Sequence, residues 1–236
     1  MNTLVLAAHG SRDPRSAANA RAVADWLGRL RPLLDVHLAF CEFNSPGLVD
    51  VLASGTGLDG VVAPLLLANA YHARIDIPRQ IVRCGVVVRQ ADVLGEDDRL
   101  VSVLHQRLAE LGVSGLDHEV GVLVVAIGSS HPAANTRTAH VARKLAANTR
   151  WTGATTAFAT GCGSSIAQAA HRLRRHGARH LVIAPWFLAP GRLTDQVQKY
   201  ATQNGIPMAA PLGAHRLVAE TVLDRFDAAV AGQVAA

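Results

Sequence analysis

Cysteine is scarce in this chain: three residues, Cys41, Cys84 and Cys162, with no Cys-x-x-Cys spacing. That argues against a cysteine-built metal site and for a reducing cytoplasm. Charged residues make up 17% of the chain and hydrophobic ones 50%, so a packed core is expected and wholesale disorder is not. No apolar run is long enough to span a bilayer. A basic n-region and cleavage site are missing too, since Met1 leads straight into an apolar stretch. Neither a Walker A nor a Gly-x-Gly-x-x-Gly sequence occurs, and neither Ser11 nor Ser129 sits in a Gly-x-Ser-x-Gly elbow. The common nucleotide-binding and serine-hydrolase signatures are therefore absent.

What is present starts at residues 3–14. Leu4, Val5 and Leu6 read as a strand covered on both faces, broken by Gly10, Ser11, Asp13 and Pro14. His9 thus stands at a strand's carboxyl end, where open α/β sheets place ligands. His72 stands similarly, after the apolar run 61–67. Further strands are expected at 36–40 and 86–88. Helices are expected at 16–30 with Ser16 as N-cap, 47–54, from Asp76 as cap to about Val82, and from Asp97 to Leu111. Residues 112–120 read as a linker between two domains, 1–115 and 116–236.

The pattern then repeats. Residues 9–14 (His-Gly-Ser-Arg-Asp-Pro) align with 127–132 (Ile-Gly-Ser-Ser-His-Pro), and Ala17–Arg21 with Ala133–Arg137 after a two-residue gap. Ala39-Phe40 align with Ala157-Phe158, and Ala63-Pro64 with Ala184-Pro185. Strands at 122–127, 153–158 and 180–187 follow, with helices near 133–148, 164–176, 194–203 and 214–231. Alternating strands and helices predict two α/β lobes, each a parallel, doubly wound sheet of about four strands. The repeat fails at three polar positions: His9 aligns with Ile127, Glu42 with Thr160 and His72 with Leu193. Their joint loss from the copy points to one working site, in the first lobe.

Neutral imidazole ligates divalent metals and titrates near neutral pH, so His9 and His72 suit a metal-binding or proton-transferring pair. Two ligands are too few for a structural zinc site and suit an ion that arrives and leaves. Glu42 either faces the same crevice, assisting a histidine or the cation, or is a carboxylate ahead of the 47–54 helix. Arg12, Arg15, Arg74 and Arg79 would bring positive charge to the crevice. The net charge of +5 favours an anionic partner. The basic run 171–176 closes a helix, where cations complement the dipole, and lacks the aromatic interleaving of a nucleic-acid site.

The segments 8–14 (Ala-His-Gly-Ser-Arg-Asp-Pro), 39–46 (Ala-Phe-Cys-Glu-Phe-Asn-Ser-Pro) and 63–78, with Ala-Asn-Ala-Tyr-His-Ala-Arg-Ile-Asp-Ile-Pro at its end, resemble the CbiX/SirB family of sirohydrochlorin chelatases. The second half resembles the duplicated architecture of the family's long forms. The resemblance implies a chelatase-like fold of two doubly wound lobes and nucleotide-independent insertion of Co2+ or Fe2+ into sirohydrochlorin, toward cobalamin or sirohaem. It implies His9 and His72 as the metal site, and on the reading of the residues Glu42 would relay protons or assist binding. Substrate contacts would come from Ser11, Arg12, Asn44, Ser45, Arg74 and the turn Leu67, Ala68, Asn69, Ala70, Tyr71. Many members have glycine where this chain has Ala70. No permanent cofactor, nucleic acid or membrane partner is implied, and the divalent metal is a substrate. A cytoplasmic monomer with at most weak self-association is expected, the duplication standing in for a second subunit. Two other readings stay open on residues alone. One is a histidine phosphatase, which also places a histidine after the first strand but in Arg-His-Gly, where this chain has Ala8. The other is a non-enzymatic tetrapyrrole or metal carrier.

Overall fold

The computed structural model describes residues 3–55, 60–160 and 163–234, and Cys162 lies outside them. The chain forms two compact units, each an α/β sandwich. The first comprises residues 1–95 with 214–236, and the second residues 96–213.

In the first unit, strands β1 (Thr3–Ala8), β2 (Asp35–Phe40), β3 (Gly60–Leu65) and β4 (Arg89–Gln90) form a parallel sheet in the order β2-β1-β3-β4. β1 is central, and Leu4, Val5, Leu6 and Ala7 are fully buried. Val5, Ala7, Ala39 and Val62 pack against α2 (Leu48–Ala53) and α3 (Ile77–Cys84). The opposite face lies under α1 (Pro14–Leu30) and the last helix of the chain, α8 (Arg216–Val234). A continuous apolar run is what a parallel strand covered on both faces requires. β4 falls at 89–90 instead of the expected 86–88, and Val86 and Val88 precede it, partly buried against the core formed with α2 and α3.

Helix α1 starts two residues earlier than its periodicity suggested. Asp13, not Ser16, is the N-cap: its carboxylate accepts from the Arg15 backbone N–H at 3.0 Å, with Pro14 in the first turn.

The second unit holds β5 (Val120–Ala126), β6 (Gly153–Phe158) and β7 (His180–Trp186), parallel in the order β6-β5-β7. Among the described residues this sheet has three strands rather than about four. A single bridge, Ile183 to Met208, stands where β4 stands in the first unit. α6 (Ile166–Arg175) and α7 (Arg192–Gln203) cover one face, and α4 (Asp98–Glu110) and α5 (Pro132–Ala146) lie on the other.

The duplication is visible in the backbone. Cys41 N–H donates to Ala8 C=O at 2.9 Å, and Ala159 N–H to Ala126 C=O at 2.8 Å. Leu94 N–H donates to Leu66 C=O, and Leu212 N–H to Phe187 C=O, both at 2.9 Å. The two-residue gap placed before Ala133 is not there. Pro14 and Pro132 both open helices, and buried Ala20, Val23 and Leu27 match Thr138, Val141 and Leu145 without one.

The domain boundary expected at 115 is also displaced. The chain leaves the first unit after Gly95 and returns after Gly213, two glycines in the left-handed region at φ +64° and +72°. Helix α4, which closes the first repeat in sequence, packs on β7 of the second unit, and α8 packs on β3 of the first. Sequence repeats and compact units therefore differ by an exchange of equivalent helices. Periodicity cannot see this, because both helices have the same kind of apolar face.

Candidate metal centre

His9 follows β1 directly. The next residue, Gly10, adopts φ +90°, and a Cβ there would lie 1.8 Å from the Glu42 carbonyl oxygen. Only glycine lets the His9 loop cross the Glu42 backbone so closely. Glu42 N–H donates to His9 C=O at 3.1 Å, and Ser11 N–H to the Asn44 side-chain oxygen at 2.7 Å. The loops after β1 and β2 are thus laced together, and Glu42 Oε1 stands 3.2 Å from His9 Nδ1. Glu42 stands beside His9, and the acidic residue in the first turn of α2 is Asp50. In the copy, Gly128 repeats the crossing, a Cβ there lying 2.2 Å from the Thr160 carbonyl oxygen. Ser129 N–H is held by Asn135 of α5 instead.

His72 arrives from β3 through the turn Leu67–Tyr71 and opens a π turn, His72–Asp76, that runs into α3. Such turns are rare and cluster at functional sites. The helix carries one residue more than its counterpart. Buried Ala73, Ile77 and Ile81 lead to left-handed Gly85, whereas buried Thr194, Val197 and Ala201 lead to left-handed Gly205. The spacing is four where the copy has three, within the π turn.

The His9 and His72 rings lie 4.0 Å apart between centroids, tilted by 36°. One ligand atom each from His9, Glu42 and His72 falls within 4.8 Å of the others, a set that can converge on a single ion. Tyr71 stands edge-on to His72 at 5.5 Å and is half-exposed.

The two imidazoles are held differently. His72 Nδ1 lies 3.0 Å from Asp76 Oδ2. The second oxygen of Asp76 accepts from Gln80 Nε2 at 3.0 Å, and the same amide donates to the Cys41 carbonyl at 3.3 Å. Asp76 was expected to cap a helix, but its side chain makes no capping bond. His9 Nδ1 faces inward and makes no aligned hydrogen bond even with Glu42 beside it. Buried polar atoms are normally satisfied, and those that are not are commonly functional.

Burial pushes the His9 imidazole below its ordinary value, and His72 adds to this, while Glu42 opposes it. Burial pushes the Asp76 carboxyl up. The hydrogen bonds from His72 and Gln80 and the neighbouring histidines outweigh that, and hold it below the usual carboxylate range. Burial, with Asp76 and Glu42 nearby, pushes the Cys41 thiol up to about 12. The ligand atoms that converge are those of His9, Glu42 and His72, and Cys41 is not among them.

Of the other residues singled out, Arg12 is exposed and stacks over the Phe43 ring at 5.4 Å. Arg74 and Arg79 are exposed, and Arg15 is paired with Asp13 at 2.6 Å. Ser11 Oγ accepts from Asp13 N–H at 3.1 Å, so it braces its own loop. The basic run 171–176 closes α6, as its sequence suggested. Sequence reasoning overlooked Gln80 and misread Asp76. The signal was their spacing from His72, which places all three along one side of a helix.

The CbiX family model matches residues 3–111 and again 121–229. The chain belongs to the CbiX family. Each match covers one sequence repeat, so the helix exchange leaves the family pattern contiguous in the chain. Among CbiX relatives, a sirohydrochlorin ferrochelatase of Priestia megaterium is 27% identical over 215 residues, covering 86% of this chain and 79% of that protein. A sirohydrochlorin cobaltochelatase of the same organism is 26% identical over 256 residues, covering 99% and 82%. The solved structure of SirB from Bacillus subtilis with Fe3+ superposes with a TM-score of 0.84 at 22% identity, covering 100% of this chain and 98% of that one. That likeness bears out the chelatase-like fold.

Proposed function

We propose that this protein is a sirohydrochlorin chelatase that inserts Fe2+ or Co2+ without nucleotide. The observation that carries the reading is the convergence of His9, Glu42 and His72 in one unit of a CbiX fold, at positions that are Ile127, Thr160 and Leu193 in the other. Insertion takes a divalent ion into the macrocycle and releases two pyrrole N–H protons. His9 and His72 hold the incoming ion through neutral imidazole nitrogens. Glu42, beside His9, receives a proton as the ion leaves for the ring, and His9, freed of the metal, can take the other.

The half-exposed turn Leu67, Ala68, Asn69, Ala70 and Tyr71 lies against the macrocycle. Ser11, Asn44 and Ser45 shape the adjoining loops, and Arg12 and Arg74 receive the eight carboxylates of sirohydrochlorin. The net charge of +5 suits that substrate. Two imidazoles and one carboxylate accept iron and cobalt alike. No helix among the described residues is long and apolar enough to cross a membrane. On this reading the protein acts in the cytoplasm as a monomer, with no permanently bound cofactor, membrane or nucleic-acid partner. A phosphatase lacks support here because Ala8 stands where Arg-His-Gly would need arginine.

The test is single-turnover insertion followed by absorbance, supplying sirohydrochlorin with Co2+, Fe2+ or Ni2+. Rates above the protein-free reaction for at least one ion are expected. Binding of metal and tetrapyrrole with no acceleration would make the protein a carrier instead.

A further inference from the structure

His72 can serve as a metal ligand through one ring nitrogen only, because the other is already engaged with Asp76 at 3.0 Å. A carboxylate only accepts hydrogen bonds, so the neutral ring facing it must carry its proton on Nδ1 and leave Nε2 bare. Asp76 is itself held. Gln80 must present its NH2 group to the Cys41 carbonyl, which also only accepts, and the same group donates to Asp76 Oδ1. Cys41 directly precedes Glu42, so the amide ties the His72 helix to the loop bearing the third donor.

The copy has none of this. Cys41 corresponds to Ala159, His72 to Leu193 and, past the extra residue, Gln80 to Tyr200. Asp76 falls in the π turn, where the copy is one residue shorter. The added residue and the polar ladder occur together in the unit that has the histidines.

We propose that Asp76 is a positioning residue for His72, fixing the tautomer whose Nε2 is free for the metal, and that Gln80 orients Asp76 by bridging it to the Cys41 carbonyl. This rests on His72 being a metal ligand, as proposed above.

The arrangement makes an unusual prediction for Asp76→Asn. Gln80 still donates to position 76, so the new amide turns its oxygen to Gln80 and its NH2 to His72 Nδ1. The ring must then accept there and carry its proton on Nε2, which blocks the metal. Adding Gln80→Leu frees the amide to flip, and its oxygen can again accept from Nδ1–H. The second substitution therefore repairs the first.

The measurement is the His72 tautomer in metal-free protein, from long-range 1H–15N correlations at mildly alkaline pH, with Co2+ affinity from visible titration. The parent and Gln80→Leu should both show Nδ1–H, since a carboxylate cannot donate. Asp76→Asn should show Nε2–H and bind Co2+ about 10–100-fold more weakly. The double variant should regain Nδ1–H and part of the affinity. A structural brace would make the double variant no better than Asp76→Asn, and that result overturns the proposal. So does an unchanged tautomer in Asp76→Asn, or, should that variant not fold, a changed one in Gln80→Leu. Should the tautomers and affinities follow while the parent inserts no metal, the chelatase reading fails and the role of Asp76 stands.

Discussion

The imidazoles of His9 and His72 meet at 4.0 Å between ring centroids although they follow different strands, β1 and β3. The two strands are hydrogen-bonded neighbours, in register from Thr3 with Gly60 to Ala8 with Leu65, so their carboxyl ends fall side by side. Parallel neighbours necessarily bring equivalent ends together. The pair is thus a product of strand order, and its function can be tested apart from the fold.

Replacing His9 or His72 by alanine should abolish metal insertion and leave the fold nearly intact. Both rings are partly exposed, at 42% and 33% of the side chain, so little core is lost. Circular dichroism should match the parent, and insertion should fall to the protein-free rate. A folded double variant that inserts metal at the parental rate would place the reaction elsewhere.

Acidification should weaken binding as His9 takes a proton, because imidazolium cannot ligate a cation. Burial and His72 depress the His9 pKa, so its contribution should persist below the ordinary imidazole range, about 6.5. Glu42 pushes that pKa up. Glu42→Gln should therefore move the acid limb of Co2+ binding to lower pH, while weakening the plateau by removing a donor. For stability the sign is the same. The unfolded chain binds the His9 proton more readily, so this contribution is full above the ordinary imidazole value and fades as pH falls from there through the depressed one. A limb that moves upward in Glu42→Gln would contradict the assigned electrostatics.

Much of this was legible in the sequence, for identifiable reasons. Continuous apolar runs and the repeated Ala-Phe and Ala-Pro pairs place the strands, whereas the sequence reading sets the start of the first helix at Ser16 although Asp13 and Pro14 carry it. The asymmetric loss of His9, Glu42 and His72 isolates the site. Two things were hidden. The π turn adds one residue without disturbing the apolar pattern, since Ala73, Ile77 and Ile81 keep a helical spacing of four. The match of Ala-Ala-Asn at 17–19 with 133–135 was a coincidence of composition, and the buried faces of α1 and α5 align without the gap it suggested.

Exposed arginines should set substrate affinity and its salt dependence. Arg12 is steadied over Phe43, and Arg74 projects from the π turn. An exposed charge pair contributes at most about 1 kcal/mol, so Arg12→Ala or Arg74→Ala should raise KM up to about fivefold and leave kcat unchanged. The effect should shrink as salt rises. Steady-state kinetics at two ionic strengths checks this, and a salt-independent KM would remove these residues from the carboxylate contacts.

The exchanged helices make a prediction that the sequence repeat alone would reverse. If each repeat folded by itself, ending the chain at Gly213 would damage the second unit, which contains the preceding residues. In the structure α8 packs on β3 and α1 of the first unit, and Val218, Val222 and Phe226 are buried there. Burial of each such side chain contributes roughly 1.5–3 kcal/mol, against a total stability of about 5–15 kcal/mol for a typical domain. Losing three of them, together with the cover over β3, should remove most of the first unit's stability. Arg31 would also lose its bidentate pairing with Asp227, and Arg89 its bond to the Ala229 carbonyl at 2.6 Å. Amide hydrogen exchange on a chain ending at Gly213 should therefore show β1 and β3 losing protection while β5 and β7 keep theirs. The opposite order would mean that the repeats, and not the exchanged units, are what folds.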